Sequence, residues 1–114
     1  MSAIKLWHNP KCSKSRQAVA FLQEKGIDFE EIRYMDDLRS VQEIKEYLAV
    51  IGKAPVEVMR TKEQGFKDLN LAQADDETLI QSMAENPKLI ERPVLFANNK
   101  AVIGRPTEAL QSIL

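Results

Sequence analysis

The chain has a single cysteine, Cys12, in the run His8-Asn9-Pro10-Lys11-Cys12-Ser13-Lys14-Ser15-Arg16. The run lies between a short apolar segment, Ile4 to Trp7, and a stretch with helical periodicity, so the thiol falls where a strand ends and a helix begins. At such a start the first backbone N–H groups have no partner within the helix, and the helix dipole favours negative charge. A thiol placed there has its pKa lowered, because the helix end and nearby cations stabilise the thiolate. The amides of Ser13, Lys14 and Ser15 are also available to an anionic substrate. Lys11, Lys14 and Arg16 strengthen both effects if their side chains turn inward, and His8 does so when protonated. A lone cysteine is often a buried small hydrophobe, but the polar and cationic neighbours here argue against burial. The residues point to a nucleophilic thiolate used for redox chemistry on an oxyanion.

Spacing narrows the chemistry. Dithiol oxidoreductases use C-x-x-C so that the second thiol resolves a mixed disulfide, and that position here is Ser15. A cysteine phosphatase loop needs an arginine six positions after the cysteine, where this chain has Ala18. The nucleophile therefore lacks a resolving partner of its own, and turnover requires an outside thiol such as glutathione or a glutaredoxin. Ser15 is placed either to hydrogen-bond the thiolate or substrate, or simply to cap the first turn. Arg60, Arg92 and Arg105 are candidates for oxyanion binding, since a planar guanidinium donates two parallel hydrogen bonds. Arg92 precedes Pro93 and Arg105 precedes Pro106, both at predicted strand ends; Arg60 has no such support from its neighbours.

Composition limits the rest. A chain of 114 residues fits one domain, 1–114, with a core large enough to need no staples. Sixteen basic residues against seventeen acidic ones argue against broad nucleic-acid binding. No apolar stretch is long enough for a membrane span, and the N-terminus lacks the basic-then-apolar pattern of a signal peptide. One cysteine permits no internal disulfide, which suits a reducing cytoplasm. One cysteine and one histidine are too few soft ligands for an ordinary zinc site, and neither a metal nor a bound cofactor is expected.

The elements that must position these residues follow from the pattern. Ile4 to Trp7 reads as a strand, Ser13 to Lys25 as a helix stopped by Gly26, and Phe29 to Tyr34 as a second, parallel strand. Ser40 and Glu43 form a capping box for a helix ending at Gly52. Pro55 to Leu71 suggests short helices and loops, and Asp75 or Asp76 caps a further helix closing before Pro87. Val94 to Ala97 and Ala101 to Ile103 flank Asn98-Asn99-Lys100 as a tight hairpin, and Thr107 to Leu114 reads as a last helix. The order is β-α-β, a helical insert at about 40–90, then β-β-α. This predicts an α/β fold with a thioredoxin/glutaredoxin-like mixed sheet and the insert between its second and third strands. Such folds often carry a cis proline facing the active cysteine, and Arg92-Pro93 is placed for it.

The order and spacing of His8-Asn-Pro-Lys-Cys12-Ser-Lys-Ser15-Arg16, Met59-Arg60, Asn86-Pro87-x-Leu-Ile-x-Arg92-Pro93 and Ile103-Gly-Arg105-Pro106 resemble the glutaredoxin-linked arsenate reductase family over nearly the whole chain. The resemblance implies that Cys12 attacks arsenate to form a thiol–arsenate adduct. It implies that Arg60, Arg92 and Arg105 bind the oxyanion, and that His8 and Ser15 support the ionisation of Cys12. Glutathione as co-substrate and glutaredoxin as partner would then reduce the adduct and release arsenite, in the service of arsenic detoxification. A sister branch of the fold is an RNA-polymerase-binding regulator with a C-x-x-C redox switch, and Ser15 counts against that reading. A glutathione-linked reductase of another oxyanion is the other alternative.

Overall fold

Strand β1 (Lys5–Trp7) lies inside a four-stranded sheet, with Leu6 and Trp7 buried. The coordinates come from a computed structural model that describes residues 4–114. Helix α1 (Ser13–Glu24) follows, burying Ser15, Ala18 and Leu22 along one face. Gly26, at φ 67°, turns the chain back toward β2 (Glu30–Ile32). Strands β3 (Val94–Ala97) and β4 (Lys100–Ile103) complete the sheet, whose order is β2-β1-β3-β4. β1 runs parallel to β2 and antiparallel to β3, and β3 runs antiparallel to β4. This is the mixed, thioredoxin-like sheet that the element order predicts.

The core of this sheet is apolar and continuous. Leu6, Ala18, Leu22, Leu95, Ala97, Leu110 and Ile113 pack together, so β1, β3, α1 and the C-terminal segment share one centre. Beside it, the Trp7 and Phe96 rings lie with centroids 4.9 Å apart. The β3–β4 turn has Asn98 and Asn99 at φ 54° and 60°, the backbone that a two-residue type I′ hairpin demands and that asparagine tolerates best after glycine. Asn98 Nδ2 donates to the Ile113 carbonyl at 2.7 Å and ties the turn to the C-terminal segment.

Two elements differ from the sequence-based expectation. The second strand is Glu30–Ile32 rather than Phe29 to Tyr34, because β1, its neighbour among the described strands, offers three paired positions. Beyond them the Tyr34 N–H turns back to the Ile32 carbonyl at 3.1 Å. The C-terminal segment, Thr107–Ile113, is a 3-10 helix. In that geometry residues three apart eclipse, which brings Leu110 and Ile113 to the same side, and both are buried.

The chain forms two compact units: the sheet unit, made of the chain up to Asp37 together with Arg92–Leu114, and the insert, Leu38–Glu91. Within the insert, α2 (Val41–Ile51) opens on the full Ser40–Glu43 capping box and ends at Gly52 in the left-handed region. α3 (Gln64–Asp68) packs with a 3-10 turn at Leu71–Gln73, while α2 and 3-10 turns at Pro55–Val58 and Pro87–Leu89 pack on α4 (Asp76–Glu85), which Asp75 caps by accepting from the Thr78 N–H at 2.9 Å. A bridge between Met59 and Ile90 closes this unit.

Leu22 is fully buried in the sheet unit's core. Leu22→Ala is expected to lower the unfolding free energy by about 2–5 kcal/mol in urea titration. A loss under about 1 kcal/mol, the range of a methylene-sized change rather than a core truncation, would contradict this packing.

Candidate active site

Cys12 is the N-cap of α1, with φ −100° and ψ 125°, so it stands just outside the helix while its carbonyl accepts from the Arg16 N–H at 3.0 Å. An N-cap side chain faces the second and third helical amides, here Lys14 and Ser15. The polar neighbours of Cys12 predict an exposed thiol, but the residue is buried, at 9% relative exposure. Its side chain turns inward under the helix start, and the lysines on either side project to solvent. Burial pushes the thiol's pKa up. The Ser15 amide, the Arg92 guanidinium (by hydrogen bond and by charge) and the Lys14 amide outweigh it and hold the thiol below its ordinary value.

Two loops bring the arginines of the sheet unit to this sulfur. Arg92 and Arg105 each precede a proline across a cis peptide bond. Arg105 Nη2 lies 4.0 Å from Cys12 Sγ, and its Nε donates to the Arg92 carbonyl at 2.7 Å. One guanidinium thus links the loop before β3 to the thiol. The Gly104 N–H donates to the Pro93 carbonyl at 3.0 Å. A Cβ on Gly104 would stand 3.1 Å from Pro93 Cγ and 3.0 Å from Leu110 Cδ2, so any side chain there would push these neighbours back by a few tenths of an ångström.

The other candidates occupy different places. Ser15 is fully buried, and its Oγ accepts from the Asn9 N–H at 3.2 Å, so the hydroxyl closes the loop before Cys12. His8 is buried at 5% exposure, and its Nδ1 has no hydrogen-bond partner among the described residues. Burial lowers its pKa; Glu31 opposes this, and Arg33 and Arg16 add to it. The shift favours the neutral imidazole, which weakens His8 as a source of positive charge for the thiol. Lys11 and Lys14 are exposed. Arg16 does not turn toward the thiol; its Nη1 donates to the Pro10 carbonyl at 2.9 Å. Arg60 belongs to the insert, where Nη1 pairs with Glu63 Oε2 at 2.9 Å and the backbone N–H donates to the Leu89 carbonyl at 2.8 Å. Asn9 is a residue that sequence reasoning passed over: its Oδ1 accepts from the Lys11 N–H at 3.1 Å. Asparagine bonding the backbone two residues on is a known turn signal that was available to find it. Among the described residues no group of His, Cys, Asp or Glu side chains is placed to hold a metal ion, and no helix is long and apolar enough to cross a membrane.

The ArsC family model matches residues 7–113, a span that holds Cys12, Ser15, Arg60, Arg92 and Arg105. The chain belongs to the ArsC family. It is 39% identical to the arsenate reductase of Neisseria meningitidis (serogroup A / serotype 4A, strain DSM 15465 / Z2491), with 100% of both chains covered. It is 42% identical to the uncharacterized protein YfgD of Escherichia coli (strain K12), over 97% of this chain and 96% of that one. The solved structure of arsenate reductase from Vibrio cholerae matches with a TM-score of 0.95 and 43% identity, covering 99% of this chain and 98% of that one. For this ArsC-family chain, the ionisation of Cys12 is the property the local geometry controls most directly.

The rate of iodoacetamide alkylation against pH is expected to give a Cys12 midpoint below that of an ordinary thiol, and Arg92→Leu should move it up by about one unit or more. Coincident midpoints in the two proteins would contradict the assigned role of Arg92. The sign carries over to stability. A thiol held below its unfolded pKa contributes stability that is complete above the unfolded value and is lost as pH falls through the lowered one. The stability of the parent protein relative to Cys12→Ser should therefore shrink on acidification through that window.

Proposed function

We propose that this chain is an arsenate reductase that takes its electrons from glutathione and a glutaredoxin, with Cys12 as the attacking thiolate. The observation that carries this reading is the setting of the Cys12 sulfur: an N-cap thiol with Arg105 Nη2 4.0 Å away, whose pKa the helix-start amides and Arg92 lower. The arsenate reductases among its relatives support arsenate as the oxyanion. Cys12 is the only cysteine in the chain, which supports an external resolving thiol.

In the proposed reaction the Cys12 thiolate attacks arsenic(V), and an arsenic–oxygen bond breaks as that oxygen leaves as water. The amides at the start of α1 and the guanidinium groups of Arg92 and Arg105 stabilise the charge on the remaining oxygens. Each aligned donor is worth on the order of 3 kcal/mol in such a transition state. A glutathione thiol then displaces a second oxygen as water. A glutaredoxin thiolate attacks the glutathione sulfur, and the sulfur–arsenic electron pair stays on arsenic, which becomes arsenic(III). The disulfide of glutathione and glutaredoxin carries away the oxidation. Hydrolysis of the remaining sulfur–arsenic bond releases arsenite and returns Cys12. Arg60 is assigned to oxyanion binding on the resemblance of Met59-Arg60 to the family motif alone, and His8 and Ser15 to support of the thiolate. The need for reduced thiols fits a cytoplasmic setting.

With arsenate, glutathione, glutaredoxin and NADPH-coupled recycling, the purified protein should oxidise NADPH, Cys12→Ser should not, and Arg92→Ala should lower kcat about a hundredfold or more. Turnover no higher than the Cys12→Ser background, with arsenate and with other oxyanions, would overturn the proposal.

A further inference from the structure

From Asn9 to Cys12, the backbone hydrogen bonds of the loop run either to Asn9 or to α1. The Asn9 N–H donates to Ser15 Oγ at 3.2 Å. The Asn9 carbonyl accepts from the Cys12 N–H at 2.9 Å. Asn9 Oδ1 accepts from the Lys11 N–H at 3.1 Å, and the Pro10 carbonyl accepts from Arg16 Nη1 at 2.9 Å. Asn9 thus contributes three of these bonds, one through each of its polar groups that the loop can reach. The first two bonds form a circuit: Ser15 holds Asn9, Asn9 holds Cys12, and the Ser15 amide in turn faces the Cys12 sulfur.

We propose that Asn9 is a positioning residue for Cys12, its side-chain carbonyl folding the Asn9–Cys12 turn so that the thiol stays under the amides of Lys14 and Ser15. The physical case rests on rigidity. An N-cap side chain receives its amide bonds only while its own backbone stays extended and aimed at the helix. Cys12 holds that conformation at φ −100° and ψ 125°. Proline at position 10 fixes one torsion of the turn, and the Asn9 side chain fixes the next by occupying the Lys11 N–H. Without that bond the Lys11 N–H is released, and the turn is held by the two backbone bonds of Asn9 and the exposed Arg16 contact. The sulfur would then spend part of its time off the helix axis, where burial still disfavours the thiolate and the amides no longer compensate.

The inference deepens the reading of Cys12 as an attacking thiolate and rests on it. It is tested on the thiol itself with iodoacetamide, so failure of arsenate turnover would not be mistaken for its failure. Asn9 carries no charge, so neutral substitutions change the thiol's pKa only through geometry. Alkylation profiles against pH are compared for the parent, Asn9→Ala and Asn9→Ser, with circular dichroism reporting the fold. Asn9→Ala is expected to move the midpoint up by about one unit, the loss of roughly one hydrogen bond to a charged group. Asn9→Ser, whose hydroxyl accepts from the amide two residues on, should move it part of the way back. Coincident parent and Asn9→Ala midpoints in folded proteins would overturn the proposal. Should Asn9→Ala fail to fold, amide exchange in the parent decides. Slow exchange at Asn9, Lys11 and Cys12 supports the locked turn, and unprotected exchange at Lys11 overturns it.

Discussion

A thiolate can sit in an enclosed position only where fixed donors replace the water it gives up. Cys12 is such a case, because burial acts against its charge while the amides of Ser15 and Lys14 and the Arg92 guanidinium act for it. The donors win because α1 begins there: its first amides have no carbonyl partners of their own, and their alignment gives the helix start a partial positive charge. Any anion that takes up the same position meets the same donors. The arrangement that ionises the nucleophile is therefore also suited to holding an oxyanion beside it.

The remainder of the sheet unit keeps that helix start fixed. β1 delivers the chain to the His8–Lys11 loop, and its pairing with β3 in register Leu6 to Leu95 sets where Arg92 and Pro93 enter. β4 returns the chain to Gly104, whose missing side chain lets it lie against Pro93 and Leu110. Arg105 then reaches both the Arg92 carbonyl and the sulfur. The C-terminal 3-10 segment packs Leu110 and Ile113 into the core shared with α1. A change in that core would thus be felt at the thiol through the helix rather than through direct contact.

Much of this was legible in the residues because the signals were local. The strand-to-helix placement of Cys12, the Ser40–Glu43 box, the stop at Gly52 and the Asn98-Asn99 hairpin each depend on a few neighbouring side chains with strong backbone preferences. Arg92 and Arg105 stood out through their prolines. The burial of Cys12 was not legible, since its polar neighbours in sequence point away from it and the groups that enclose it come from distant loops. The lowered pKa of His8 was hidden for the same reason: the burial that lowers it is a property of the fold. Arg16, which would support the thiolate only if turned inward, instead donates to the Pro10 carbonyl. Arg60 gained its assignment from the family motif, and its own surroundings in the insert are an ion pair with Glu63.

We assign the start of α1 and the two proline-flanked arginines of the sheet unit to a single anion-binding centre around position 12. A crystal structure of Cys12→Ser grown with arsenate tests it most directly, because the substitution keeps the geometry and removes the attack. A tetrahedral anion is expected against the amides of Ser13, Lys14 and Ser15, with the guanidinium groups of Arg92 and Arg105 turned toward it. An anion bound elsewhere on the protein, with the start of α1 left empty at saturating arsenate, would contradict it.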